Sequence, residues 1–251
     1  MQTNKMIFEY LCDFAPLEKQ MSFDNAGFLL GRPNSEAKKV LLSLDVTPDV
    51  VDEAVEGGYE LIISHHPVIF NAIKSVTDEK LMKLVERKIA VISMHTNLDI
   101  IEGGVNDILL SLLGAERDGY LDDACCGRIG HLKAPVSMES FLKLCREKLH
   151  TNGLRYYDAG RTVEHIAVLG GAGGDEVETA AEKGCDTYLT SDLHYHQFLF
   201  AQEHGINLID GDHFGTEDPV IDMLCQKLSS RFPDIVFHKS DRHGTVIKFF
   251  C

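Results

Sequence analysis

The chain has 251 residues, which suits one large domain or two modest interlocked ones. Asp and Glu number 39 against 24 for Lys and Arg, so the formal charge is -15, which disfavours a nucleic-acid binder because such proteins need a basic face. No apolar run is long enough for a membrane span and residues 1–15 do not resemble a signal peptide, so we expect a cytoplasmic protein without membrane contact.

Apolar runs of strand length alternate with helical patterns along the chain. The runs are rich in Leu and β-branched residues and apolar throughout, as in strands that are covered on both faces of an α/β sheet. In chain order they are Lys39 to Leu44, Leu61 to Ser64, Ala90 to Met94, His165 to Leu169, Thr187 to Thr190 and Ile206 to Ile209. The helical patterns cover 49–56, 78–87, 104–113, 175–183, 196–204 and 219–229. We therefore predict an α/β fold with parallel or mixed sheets.

The second half of the chain repeats the pattern of the first at low identity. A shift of 126 residues places Lys39–Ser64 on His165–Thr190 without a gap. A shift of 118 residues then places His95–Asp99 on His213–Glu217. Two generic strand-helix-strand units would also resemble each other, but the matched His-x-x-x-carboxylate loops favour a true pseudo-repeat.

We divide the chain into a first α/β half, residues 1–125, and a second, residues 126–251. The first carries the His-His-Pro and His-x-x-x-Asp loops, and the second carries the His-x-x-x-Glu loop. The Gly- and Asp-rich segment 118–133 is the best boundary and is too short for an inserted domain. A closing strand is predicted over 245–251. Because the two chain ends could join opposite halves, we expect interlocked halves with mixed sheets that face a central cleft, not independent domains.

Cysteine usage points to a reducing compartment. The seven cysteines include no C-x-x-C pair, and Cys125 and Cys126 are adjacent, which suits neither a usual bridge nor a zinc knuckle. Reduced thiols are therefore favoured.

Histidines follow several of the predicted strands, at the end where α/β sheets bind ligands. His65 and His66 follow the second apolar run, and Pro67 allows the backbone turn that would let adjacent side chains serve neighbouring ions. A hydrogen-bonded pair at a strand end would explain these two residues equally well. Two further loops, His95–Asp99 and His213–Glu217, each combine imidazole with carboxylate.

This combination of side chains predicts a metal centre. Neutral imidazole and carboxylate together suit transition metals such as Zn, Mn or Fe, whereas Ca and Mg prefer oxygen ligands. Buried histidines and carboxylates need partners, which a metal supplies. A carboxylate can bridge two ions, and paired ions can clamp the attacking and leaving oxygens of a hydrolysis. Such chemistry needs no Ser or Cys nucleophile.

Three other motifs are less specific. Gly170–Gly174 lacks the Lys-Ser/Thr ending of a P-loop and indicates a flexible turn, although a phosphate at the following helix start stays open. Asp192 and His196 follow another strand and could orient ligands or act on substrate, but His196 could equally begin the next helix. In the segment Phe23–Gly27, a structural role for Asn25 is favoured over a functional one.

Five segments occur in the order typical of one family. They are Phe23–Gly27, Leu44–Thr47, Ile63–Pro67, His95–Asp99 and His213–Glu217. From about Phe23 to Lys248, the chain resembles the NIF-three-like, or GTP cyclohydrolase I type 2, family of dinuclear-metal proteins. The resemblance implies two divalent ions per chain, of Zn, Fe, Mn or Ni. The ligands that it implies are His65, His66, Asp99, His213 and Glu217.

The resemblance also implies roles for other residues. Glu217 would bridge the ions and act in catalysis together with His95, and Asp192 and His196 would lie nearby in the cleft. Two positions depart from the family pattern. Phe23 stands where Trp is usual, which keeps an apolar ring without the indole N–H. Asp212 stands where Gly is usual, and it could hold the following histidine or narrow the site.

The family implies a homohexameric ring and a small-molecule substrate. Its name points to ring-opening hydrolysis of GTP, with metal-bound water as the nucleophile, although no guanine-specific constellation is visible. A phosphate ester or another nucleotide would be equally compatible with two metals. The alternative is a non-enzymatic metal-binding scaffold or metal-handling regulator. A DHH-type phosphoesterase is disfavoured because Ser64 stands where that family has an aspartate ligand.

Overall fold

The computed structural model describes residues 2–250, which form ten α-helices and eleven β-strands in two mixed sheets. The helices are α1 (Asn4–Phe14), α2 (Pro48–Gly57), α3 (Glu79–Arg87), α4 (Thr96–Ile100), α5 (Val105–Leu112), α6 (Met138–Lys148), α7 (Val177–Glu182), α8 (Tyr195–His204), α9 (His213–Glu217) and α10 (Pro219–Arg231). The strands are β1 (Gly27–Leu30), β2 (Lys39–Ser43), β3 (Leu61–Ser64), β4 (Ala90–Ser93), β5 (Ala115–Tyr120), β6 (Arg128–Val136), β7 (Arg155–Tyr157), β8 (Val163–Ala172), β9 (Thr187–Ser191), β10 (Asn207–Asp210) and β11 (Val236–Lys239). Two single-turn 3-10 helices lie at Leu17–Lys19 and Gly174–Glu176.

The chain forms two compact units, each made from two separate stretches of sequence. The first unit holds the residues up to 98 together with 220–244, and the second holds 99–219 together with the residues after 244. The sequence pattern predicts contiguous halves, 1–125 and 126–251, and the difference has a structural reason. β11, near the C-terminus, pairs with β2 and so belongs to the first sheet.

The first unit is built on a five-stranded sheet in the order β1-β4-β3-β2-β11. β2, β3, β4 and β11 pair in parallel, and β1 pairs antiparallel to β4. α2 begins where the Thr47 hydroxyl accepts a hydrogen bond from the Val50 amide, and it ends at Gly58 with a φ of 67°. Its buried face packs with Leu41 and Ile62 of the central strands, which explains their continuous apolar sequence.

The second unit is built on a six-stranded sheet in the order β5-β6-β8-β9-β10-β7. β8, β9 and β10 pair in parallel, and β5, β6 and β7 join through antiparallel pairs. Phe141 of α6 packs with Val168 and Ile209 in one core cluster, and Ala180 of α7 packs with Tyr188 in another.

Both units contain the same four-strand arrangement, and the mixed α/β sheets confirm the predicted fold class. β2-α2-β3 and β8-α7-β9 are parallel strand-helix-strand units, each continued by a third parallel strand. An antiparallel strand follows beyond that third strand, β1 in one sheet and β7 in the other.

The predicted closing strand over 245–251 is wrong within the described residues, because 240–250 contain no strand. Cys251 lies outside the described residues. Within 2–250, no helix combines the length and apolar character that crossing a membrane requires.

Candidate metal centre

Three histidines of the first unit lie together at the carboxyl ends of β3 and β4. His65 and His66 directly follow β3, and His95 follows β4 after one residue, so the parallel pairing brings them to the same edge of the sheet. Their ring centroids are 5.0 to 5.4 Å apart. One ring nitrogen from each lies within 4.8 Å of those of the other two. The sheet therefore assembles the group that the strand-end pattern predicts.

Each of these imidazoles has a fixed partner at Nδ1. The main-chain oxygen of Met94 lies 2.8 Å from His65 Nδ1 and only accepts hydrogen bonds, so Nδ1 carries the proton. Asp45 Oδ1 lies 2.8 Å from His66 Nδ1 in the same manner. A histidine whose Nδ1 donates in this way presents Nε2 as its ligand atom, which is the usual arrangement in metal sites.

Asp24 holds His95 and the start of α4 with one buried carboxylate. Its Oδ1 lies 2.7 Å from His95 Nδ1, and its Oδ2 accepts from the amide and hydroxyl of Thr96. Burial acts to raise the pKa of Asp24, but the hydrogen bonds from His95 and Thr96 outweigh it and lower the pKa to about 2. The carboxylate is thus ionised at neutral pH and keeps the His95 Nδ1 proton in place.

The second unit carries another imidazole-carboxylate group, at the carboxyl ends of β9 and β10. His213 and Glu217 stand one turn apart on α9, with 3.1 Å between Nε2 and Oε2. Asp192, directly after β9, places Oδ2 2.7 Å from His213 Nδ1. Burial lowers the pKa of His213, but Glu217 and Asp192 outweigh it and raise the pKa to about 9. A metal that binds at His213 Nε2 must therefore displace a proton.

The glycine-rich end of β8 closely approaches this group. Gly171 has a φ of +70°, and a Cβ there would overlap Glu217 Oε1 and lie 3.3 Å from His213 Nε2. Its amide donates to Thr216 Oγ1 at 3.0 Å, within α9. The sequence predicts a flexible turn over Gly170–Gly174, but Gly170 and Gly171 lie within β8, where its pairing with β9 is irregular between Val168 and Ala172. The missing side chain of Gly171 makes room for the carboxylate.

The other predicted site residues lie within helices or at the start of one. Asp99 lies in α4, four residues after His95, and its main-chain oxygen accepts from Asn106 at 3.3 Å. His196 is exposed on α8, where its ring stacks on that of His194 with 5.8 Å between centroids. Asp212 caps α9 by accepting from the Phe214 amide at 3.2 Å. The carboxylate that contacts His213 Nδ1 is therefore that of Asp192, and not that of the preceding Asp212.

The sequence pattern indicates no role for two contributors, Asp24 and Asp45. Both stand in segments that carry the family resemblance, so the signal was present, but nothing in the pattern indicated that they orient histidines. Asn25 has the structural use expected of it, because its amide nitrogen donates to the main-chain oxygen of Ile69 at 2.6 Å.

A further group of possible ligands in the first unit has a structural explanation. Glu53, His238 and Asp241 place ligand atoms within 4.8 Å of one another. Glu53 accepts from the Ser240 hydroxyl and from the amides of Asp241 and Arg242, so it anchors the segment that follows β11.

Comparison with known proteins agrees with this architecture. A "GTP cyclohydrolase 1 type 2 homolog" of Clostridium acetobutylicum is 33% identical over 86% of this chain and 85% of its own. Among solved structures, reduced HcgD from Methanocaldococcus jannaschii has a TM-score of 0.85 at 31% identity, covering 96% of this chain and 98% of its own. A hypothetical protein of Staphylococcus aureus has a TM-score of 0.90 at 26% identity, covering 99% of each chain. The profile of one family matches residues 2–243, and the chain therefore belongs to the Duf34/NIF3 (NGG1p interacting factor 3) family.

Proposed function

We propose that the chain is a hydrolase dependent on two divalent metal ions, held by His65, His66, Asp99, His213 and Glu217. The observation that carries the proposal is the fixed tautomer of the histidines, because a hydrogen bond from Nδ1 directs Nε2 to ligation. The room that Gly171 leaves beside Glu217 supports it in the second unit. That both sets of ligands serve one pair of ions is part of the proposal and rests on the family resemblance.

The donor set fits a pair of transition-metal ions. Three imidazoles with two carboxylates suit Zn, Fe, Mn or Ni, and the carboxylate of Glu217 is the proposed bridge. When bound, such ions would polarise the substrate and lower the pKa of a water molecule enough for it to attack near neutral pH. Asp45 and Asp192 would keep the imidazoles of His66 and His213 oriented.

Acid-base roles are assigned to His95 and Glu217. Asp24 fixes the Nδ1 proton of His95, so Nε2 is the atom that can accept or return a proton during hydrolysis. The grouping of His95 with His65 and His66 also makes it a candidate ligand in its own right. Asp192, His196 and Asp212 are proposed to orient ligands or to contact substrate.

The proposed substrate is a nucleotide-like small molecule. Curated relatives carry the name GTP cyclohydrolase 1 type 2 homolog, which supports ring-opening hydrolysis of GTP as the first reaction to test. A phosphate ester would use the same two ions. We further propose a cytoplasmic homohexamer, as the family resemblance implies.

The test is metal analysis coupled to a hydrolase screen of the reconstituted protein. We expect two ions per chain and turnover of GTP or a related nucleotide. Substituting His65→Ala or Glu217→Ala should lower the metal content below about one ion per chain, because each variant removes a proposed ligand. His204→Asn is the matched control, since it removes an exposed histidine outside both groups.

Two outcomes would contradict the proposal. Two ions in either ligand variant, with a normal circular dichroism spectrum, would refute the assignment of the ligands. A fully loaded protein that turns over nothing in a nucleotide and phosphate-ester panel would instead favour the non-enzymatic metal scaffold.

A further inference from the structure

Two phenylalanines of the first unit lie exposed beside the histidine group. Phe23 is 65% exposed and Phe70 is 44% exposed, with 6.4 Å between their ring centroids and an angle of 41° between the rings. The Phe70 ring meets that of His95 nearly edge to face, at 6.0 Å and 78°. Single exposed apolar side chains are ordinary, but two aromatic rings next to candidate metal ligands are a specific juxtaposition.

Both phenylalanines are next in sequence to residues of the hydrogen-bonded network around Asp24 and Asn25. Phe23 directly precedes Asp24, whose carboxylate binds His95. Phe70 directly follows Ile69, whose main-chain oxygen accepts the 2.6 Å hydrogen bond from Asn25. Phe23 is therefore adjacent in sequence to the carboxylate that supports the imidazole, and Phe70 is adjacent to a residue that is hydrogen-bonded to the same segment.

We propose that Phe23 and Phe70 form an aromatic subsite that stacks a planar ring of the substrate while its polar end reaches the histidine group. The proposal deepens the proposed function and rests on it for the identity of the polar end. Stacking uses the face of the ring, which every nucleobase offers, so this subsite selects planar heteroaromatic ligands without distinguishing guanine from adenine. A small-molecule ring is the occupant that continuity with the histidine group favours.

The absence of tryptophan from the chain gives a direct test. The Phe23→Trp variant keeps an aromatic ring and introduces a single indole reporter at the subsite. In the metal-loaded protein, GMP and AMP should quench its fluorescence with similar affinity, whereas ribose 5-phosphate, which lacks the base, should not. Tyr156→Trp, at an exposed aromatic position on β7, is the control and should be quenched only by collision.

A second variant tests the partner ring. Adding Phe70→Leu to Phe23→Trp should weaken GMP binding about tenfold, because one stacking face is lost while an apolar side chain of similar bulk remains. Metal content and the circular dichroism spectrum should not change. Equal binding with and without Phe70, or equal quenching in the Tyr156→Trp control, would overturn the proposal.

The remaining outcomes separate this inference from the proposed function. If GMP quenches the reporter in protein that holds no metal or hydrolyses nothing, the aromatic subsite stands and the hydrolase assignment fails. The metal-loaded protein could hydrolyse substrates without a ring as fast as nucleotides, with neither rate nor quenching changed by Phe70→Leu. That result would refute the subsite and leave the proposed function standing. If Phe70→Leu changes only the mass measured by light scattering, the rings pack against a second copy and the inference is wrong.

Discussion

Individual carboxylates give the candidate site its chemistry. The histidines could be predicted from their positions after apolar runs, because the edge of a parallel sheet gathers strand ends. Their partners could not, since Asp24 meets His95 across 71 residues of sequence and Asp45 meets His66 across 21. A pattern of residue types carries no information about which polar atoms meet over such distances.

At this scale we predict that Asp45 is needed for tight metal binding. The Asp45→Asn change removes the charge that holds the Nδ1 proton of His66, so affinity for a divalent ion should fall about tenfold or more. Isothermal titration of the metal-free protein measures the effect. Asp49→Asn is the control, because Asp49 is exposed in the first turn of the neighbouring α2. Equal affinities in the two variants would show that Asp45 does not orient a ligand.

Secondary-structure elements were predictable where their sequence is regular. The central parallel strands are continuous apolar runs, and each was found within a few residues of its position. The edge strands β5 and β7 escaped prediction because they are mostly exposed and lack a continuous apolar run. The composition of Gly170–Gly174 predicts a turn, but Gly170 and Gly171 belong to β8. The contact of Gly171 with α9 cannot be read from composition.

Two glycines with similar backbone conformations allow the effect of the contact between Gly171 and Glu217 to be measured separately from backbone strain. Gly171 and Gly160 have φ values of +70° and +75°, so alanine strains the backbone about equally at each. Only at Gly171 would the new Cβ meet Glu217. We expect Gly171→Ala to weaken metal binding at least tenfold, whereas Gly160→Ala should lower only the melting temperature, by a few degrees. Calorimetry with metal titration of both variants measures this, and matched metal affinities would refute it.

At the scale of the whole molecule, the repeat was visible in sequence but the partition of the chain was not. Matching Lys39–Ser64 with His165–Thr190 predicts two similar strand-helix-strand units, and both sheets contain one. The placement of β11 was missed because four residues of mixed character give little signal, and their partner β2 lies almost 200 residues away. Non-local pairing of this kind is decided by packing, not by local propensity.

This partition predicts that residues 1–125 do not fold alone. The fragment lacks β11, so β2 would present an unpaired edge, and it also lacks the apolar face of α10. We expect no cooperative melting transition by circular dichroism and a tendency to aggregate, while the full chain melts cooperatively. A sharp transition in the fragment would contradict this expectation and would support contiguous, separable halves.

The late position of β11 has a consequence for biosynthesis. A ribosome that releases the polypeptide from its N-terminus exposes β2 and β3 long before their outer neighbour exists. At ordinary elongation rates, the interval between residue 64 and residue 239 is about 9 to 35 s. Throughout that time the open side of β2 is available to other nascent strands, so production of this protein in cells should depend on chaperones that shield hydrogen-bonding edges.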